Sequence, residues 1–286
     1  MKTVSAAHLG RAFVVILAVL IPAQGAAASD FWDEVRTPGL REYRREIVEA
    51  RAALRAGSFD QALAHAELAL ARLGQRPEAH AARGRALGGL RRDREACTAL
   101  SRALEIDESS LDDLEDGAHA SVIAATAGSY ELAARILSRV LGRLRAPQPR
   151  HELYALYGDV LLSLGPERLQ EAILAYREAV RVQGPGATRV MIGLALALRR
   201  SGERLEAADL AREVAGQGRI DATLTGLPVP ESERAARRAI VLAAIGDQEG
   251  ARQAWTEAST GAAWANHARA ELQEPAARPP RRRSDP

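Results

Sequence analysis

Residues 57–70 read GSFDQALAHAELAL, and residues 128–141 read GSYELAARILSRVL. The glycine, the serine, the aromatic residue and the alanine five places after the glycine recur at an offset of 71 residues. Each copy sets a turn ahead of an amphipathic run. Copied punctuation of this kind is the mark of stacked structural repeats, and it directs a search for further copies.

The alanine that follows each turn serves as a marker. It recurs at Ala62, Ala96, Ala133, Ala172, Ala207 and Ala251, in steps of 34, 37, 39, 35 and 44 residues. The turn residues ahead of the markers are Gly57, Arg91, Gly128, Gly165, Gly202 and Gly246, and the turn at Gly165 is two residues longer than the others. Before each turn runs one helical stripe, such as Leu40, Tyr43, Ile47, Ala50 and Leu54. After it runs another, such as Ala133, Leu137, Val140 and Leu141. Both have the spacing of one helix face. A glycine suits the turn because it accepts the left-handed conformation that closes a helix. The marker alanine is small, which lets paired helices approach closely. The step of 37 contains an insertion at Leu111–Asp113, and the step of 44 contains the linker GRIDATLTGLPVP at 218–230.

The pattern resembles the tetratricopeptide repeat, which reads W-x₂-L-G-x₂-Y, then A-x₃-F, then P. The fourth unit fits best, with Tyr154, Tyr157, Gly158 and Leu161 in the first helix, then Ala172, Tyr176 and Pro185. The second matches with Gly84, Leu87, Ala96, Leu100 and Ala103, and the sixth with Ala239, Leu242, Gly246, Ala251 and Trp255. The first, third and fifth put Ala50, Ser121 and Ala195 in the small slot. The resemblance covers residues 40–265 and implies an all-α, right-handed α-solenoid of about six helix-turn-helix repeats. The expected units are 43–76, 77–110, 114–147, 151–186, 188–221 and 232–265. Residues 30–42 form an N-terminal lid in which Phe31, Trp32 and Val35 pack on the first pair. Residues 266–273 end a capping helix marked by Trp264, Ala268 and Leu272, which covers the open end of the stack. Residues 274–286 form a Pro/Arg-rich tail of disordered composition.

Composition agrees with this class. Hydrophobic residues make up 47% of the 286 and aromatics only 4%, so the core is built from Ala, Leu, Val and Ile. Residues 1–29 have the layout of a secretory signal peptide. Lys2 and Arg11 supply a positive n-region ahead of the apolar run AFVVILAVLIPA at 12–23, and Ala26–Ala28 offers a cleavage site. An apolar run this short falls below the roughly 20 residues that span a bilayer. The expected location is therefore the periplasm, with secretion as second choice, and membrane contact only in transit during export.

Removing residues 1–29 leaves 37 arginines against 37 acids. Four of those arginines sit in the stretch 278–286 with one acid, so the body is slightly acidic and gives no basic face for nucleic acid. Lys2 is the only lysine, which excludes a Walker A or Schiff-base lysine from the exported chain. Cys97 is the only cysteine, which excludes an internal disulfide and paired-cysteine metal sites; its place in a helical pattern reads as a small buried hydrophobe.

Candidate chemistry is sparse. In proteins with this resemblance, the first helix of each pair lines a concave groove for partner segments. The expected lining here is Arg51, Arg55, Arg85, Asp159, Arg199 and Arg200, with bidentate arginines suited to acidic segments. The Lys/Asn carboxylate clamp of some family members is absent. The acidic run from Asp107 to Asp116, with His119, could bind a divalent cation, but it lacks the EF-hand spacing. Its bland reading is helix-start chemistry, with Ser109 or Ser110 as cap. His65, His80, His151 and His267 fall in separate units without a metal-binding pair spacing. The expectation is an exported scaffold for protein or peptide segments, acidic ones among them, with no catalysis, cofactor or metal. Two alternatives stay open: an α-helical enzyme with dispersed catalytic residues, and a divalent-cation-linked binding protein. By resemblance, exported proteins of this kind often serve envelope assembly, secretion or pilus systems.

Overall fold

The computed structural model describes residues 35–144, 151–183, 187–216 and 220–273. The expected signal peptide, Phe31 and Trp32 of the lid, and the Pro/Arg tail lie outside them. Among the described residues the regular structure is helical: α1 (Leu40–Arg55), α2 (Phe59–Arg72), α3 (Pro77–Gly89), α4 (Asp93–Ile106), α5 (Leu114–Thr126), α6 (Tyr130–Arg143), α7 (His151–Leu164), α8 (Leu169–Gln183), α9 (Thr188–Ser201), α10 (Arg204–Ala215), α11 (Ile220–Leu224), α12 (Glu231–Ala244), α13 (Gln248–Ala258) and α14 (Ala265–Gln273). Short 3₁₀ turns at Glu108–Leu111 and Pro166–Arg168 mark the insertion and the long fourth turn. No described helix is long and apolar enough to cross a membrane.

The helices pack as antiparallel pairs: α1 with α2, α3 with α4, α5 with α6, α7 with α8, α9 with α10, and α12 with α13. The short α11 lies in the linker of the 44-residue step. Each marker alanine is buried, in the first turn of the second helix of its pair. Opposite the small slots sit large side chains. A Cβ on Gly84 would stand 2.7 Å from Leu100, and one on Gly158 would stand 2.7 Å from the Tyr176 ring. Small residues on the first helix thus set how closely the second can lie.

The turns behave as their sequence suggests, with one deviation. Gly57, Gly128, Gly165, Gly202 and Gly246 all have positive φ. Arg91 occupies the same place in the second unit with φ 61°, the one positive-φ non-glycine among the described residues. An L-residue pays roughly 1–2 kcal/mol for that conformation. The stack around it enforces the turn regardless of the residue.

Successive first helices also touch one another: α1 with α3, α3 with α5, α5 with α7, α7 with α9, and α9 with α12. The second helices make no comparable run of contacts. The first helices therefore sit on the inner side of the stack's curve. At the C-terminal end Trp264 and Ala268 are fully buried against the last pair, so α14 covers the open end. At the other end Val35 is exposed. Cys97 is half-buried at the edge of the main core.

Candidate functional site

The inner side can be followed residue by residue. The position just after each small slot carries Arg51, Arg85, Val122, Asp159, Leu196 and Ile240 in turn. Arg51 and Val122 are exposed, whereas Arg85, Asp159, Leu196 and Ile240 are buried. At this position the inner face is therefore open in the first and third units, closed by Arg85 in the second, and filled in the last three.

A buried polar cluster fills the closed half. Asp159 on α7 is 1% exposed, and Glu233 and Arg237 on α12 are fully buried. Arg237 Nη2 donates to Asp159 Oδ1 at 2.7 Å and to Glu233 Oε1 at 2.6 Å. Tyr176 Oη on α8 donates to Asp159 Oδ1 at 2.7 Å, and Arg189 Nη2 on α9 donates to Oδ2 at 2.7 Å. Ser163 Oγ on α7 donates to Glu233 Oε2 at 2.8 Å. Arginine and carboxylate thus join the fourth, fifth and sixth units through their inner faces. The Tyr176 ring lies between Gly158 and Gly193, where a Cβ on either would come within 2.7 Å of it. The two glycines make room for the ring whose hydroxyl completes the cluster.

The two carboxyls respond oppositely to burial. Burial alone would raise Asp159, but the Arg237 and Arg189 guanidiniums and the Tyr176 hydroxyl overcome it and hold its carboxyl below the ordinary range. Burial also raises Glu233; Arg237 offsets this only in part and Asp159 adds to it, so its carboxyl stays above the ordinary range. Asp159 accepts from Arg237, Arg189 and Tyr176, whereas Glu233 accepts from Arg237 and Ser163.

The other sequence-predicted residues divide in the same way. Arg199 donates to Glu271 on α14, with Nε to Oε1 at 3.0 Å. Arg200 donates to the backbone carbonyls of Leu162 and Ala263 at 3.3 and 2.9 Å, and its guanidinium stacks 4.4 Å from the Trp264 ring centre. Both therefore fasten the C-terminal cap. Arg85 is buried and pairs with Asp116, with Nη2 3.3 Å from His119 Nδ1, so it ties α3 to α5. Arg51 and Arg55 are exposed and have no ion-pair partner among the described residues. Sequence reasoning missed Arg189, Glu233 and Arg237. The signal was present as opposite charges on first helices of neighbouring units, but not the fact that units two apart meet.

The acidic run serves the local fold. Asp107 Oδ1 accepts from Ser109 N at 2.8 Å, and Asp113 Oδ1 caps α5 by accepting from Glu115 N and Asp116 N at 3.0 and 3.1 Å. The caps are these aspartates rather than Ser109 or Ser110, because a carboxylate reaches the free amides at a helix start and also answers its positive end. Asp112 accepts from Arg139 Nε at 2.8 Å and Arg143 Nη2 at 2.7 Å. No group of three or more potential ligands is gathered for a metal among the described residues. His65 Nδ1 lies 2.8 Å from Glu46 Oε2, an internal contact of the first pair.

Paired helices, small slots and an inner layer of first helices define an α-solenoid of the tetratricopeptide-repeat type. Structural comparison agrees. A single-residue mutant of MamA superposes with a TM-score of 0.50 at 18% identity, over 65% of this chain and 99% of that one. The MamA AMB-1 structure gives 0.50 at 17%, over 64% and 97%. The structure of Pseudomonas aeruginosa PilF gives 0.45 at 16%, over 80% and 97%. Likeness at this level concerns the fold alone. No family model and no curated protein matches the chain.

Proposed function

We propose that the chain is an exported scaffold that binds segments of other proteins on the inner side of its first three repeats. The observation that carries this reading is the contrast between the two halves. The inner face of the last three repeats is occupied by the protein's own Asp159–Arg237–Glu233 cluster, whereas Val48, Arg51, Arg55, His119 and Val122 remain exposed in the first three. A closed half that holds its shape and an open half that offers first-helix side chains suit a preorganised binding surface, which lowers the ordering cost of association. The commitment of Asp159, Glu233 and His65 to internal contacts favours binding over catalysis. Export is inferred from residues 1–29 and places the partner in the periplasm, with envelope assembly as the setting.

The test is capture from a periplasmic extract with photo-crosslinkers placed at Val48, Val122 and, as outer-face controls, Leu174 and Leu205. A stoichiometric partner cross-linked through Val48 or Val122 supports the reading. Partners found only through the outer controls, or none across several growth conditions, would sink it.

A further inference from the structure

The open half contains a crevice whose chemistry narrows the partner. Leu54 at the end of α1, Phe59 in the first turn and Val122 and Ile123 on α5 form apolar walls around a space of about 300 Å³. Gly88 and Gly89 at the end of α3 also line it. A Cβ on Gly88 would stand 2.5 Å from Ile123, and one on Gly89 would run into the Phe59 ring. These glycines let the two apolar side chains lie down over α3 and form a floor.

The rim is cationic. Arg85 is spent on Asp116, but Arg91 lines the crevice, is exposed and has no ion-pair partner among the described residues. Arg51 and Arg55 are likewise exposed and without such a partner. Val48, Arg51 and Arg55 fall at helical intervals of three and four, so they share one face of α1 and extend the surface away from the crevice. Asp93 is the one carboxylate in the lining. The volume is at the low end of sites that enclose a small molecule, and the apolar and cationic surface continues well outside it. That shape suits the side chains of an extended or helical segment.

We infer that this crevice takes a partner-protein segment that places apolar side chains between α1, α3 and α5 and carboxylates against Arg51, Arg55 and Arg91. The inference rests on the scaffold reading and specifies its partner. Apolar burial supplies the affinity, and the unpaired arginines select the charge.

Fluorescence anisotropy tests it with the purified chain and a labelled 14-residue peptide composed of Leu, Phe and Glu. One control peptide replaces Glu with Lys, and another replaces Leu and Phe with Ser. At low salt the Glu peptide binds, and each control binds at least about tenfold more weakly. Val122→Asp, and separately Arg51→Glu with Arg55→Glu, each weaken the Glu peptide by about tenfold. Thermal unfolding is unchanged by these variants, since all three side chains are exposed. Equal binding of the Lys peptide, or no effect of Val122→Asp, overturns the inference. Displacement of the peptide by anionic phospholipid vesicles also overturns it, by assigning the arginine face to a membrane. A partner cross-linked through Val48 or Val122 alongside failure of the Glu peptide would leave the scaffold reading standing and remove this one.

Discussion

Asp159→Asn and Glu233→Gln are near-isosteric changes in one buried cluster, yet they should differ sharply in cost. Asp159 is 1% exposed and accepts from Arg237, Arg189 and Tyr176. Neutralising it leaves Arg237, which is fully buried, with Glu233 as its remaining carboxylate. Removing one member of a buried ion pair typically costs about 3–5 kcal/mol. Glu233 is different, because burial already disfavours its charged form and its carboxyl is raised. A neutral amide of the same shape keeps an acceptor for Arg237 and a partner for Ser163. Its loss should be about 1 kcal/mol or less, the scale of one neutral hydrogen bond. For a folded body of this size, 1 kcal/mol shifts Tm by about 2–4 °C. Asp159→Asn should therefore lower Tm by roughly 6–20 °C and Glu233→Gln by no more than about 4 °C. Hydrogen exchange should place the Asp159→Asn loss in α7, α8, α9 and α12, because repeats are coupled mainly to their neighbours. The pH dependence carries the sign. Asp159's folded carboxyl is lowered, so its contribution is present above the ordinary aspartate value and fades as pH falls below it. Glu233's folded carboxyl is raised, so its charge burdens the fold as pH climbs past the ordinary glutamate value, and Glu233→Gln should gain on wild type over that range. Equal losses for the two variants at neutral pH, or a larger loss for Glu233→Gln, would refute the assignment of Asp159 as the better-compensated charge.

Three further outcomes are expected. Arg91→Gly removes a left-handed arginine at φ 61°; after the extra backbone freedom of glycine is subtracted, it should stabilise by about 0.5–1 kcal/mol in urea unfolding. Gly193→Ala drives a methyl into the Tyr176 ring and should cost about 1–3 kcal/mol by overpacking, with perturbed tyrosine fluorescence as the local readout. The intact mass of the chain recovered from the periplasm should correspond to loss of about the first 28 or 29 residues; a full-length mass would remove the cleavage expectation, and absence of the chain from the periplasm would remove the periplasmic assignment.

The fold was legible because a solenoid writes its architecture in local code. Turn residues, small slots and marker alanines need only their own unit to be recognised, and each unit settles its turn and its closest helix contact with a few residues. Arg91 shows the strength of that code: the register places a turn there although the residue favours another conformation. The site was less legible because inner-face residues are decided by units that are not neighbours in sequence. Asp159 sits where a groove residue should sit, one place after Gly158. Nothing within its own unit says that Arg237, 78 residues later, will cover it. Arg199 and Arg200 were hidden in the same way, since Glu271 and Trp264 lie beyond the last helix pair. For the acidic run, composition raised a cation site, but the carboxylates cap two helix starts and pair with arginines of α6.

The split between halves follows from side-chain choice at equivalent positions. Where the inner position after the small slot carries Leu196 or Ile240, neighbouring first helices bury it against one another. Where it carries Asp159, the charge must be answered, and Arg189 and Arg237 converge from the next two units. These contacts remove the inner surface from use and fix the spacing of three repeats. Where the position carries Arg51 or Val122, nothing among the described residues answers it; Arg85, between them, is answered by Asp116. An exposed valine and an unpaired arginine cost this protein little on their own. Together with Phe59 and Ile123 laid over Gly88 and Gly89, they form an inner stretch that combines an apolar floor with unpaired charge of one sign. On the proposed binding mode, the C-terminal half would act without touching the partner, by anchoring the stack so that α1, α3 and α5 hold their relative positions before the segment arrives. Asp159→Asn should accordingly weaken Glu-peptide binding less than Val122→Asp does, at temperatures where the first three repeats remain folded. A larger effect from Asp159→Asn would mean that the two halves are not separable and that the closed half takes part in the contact.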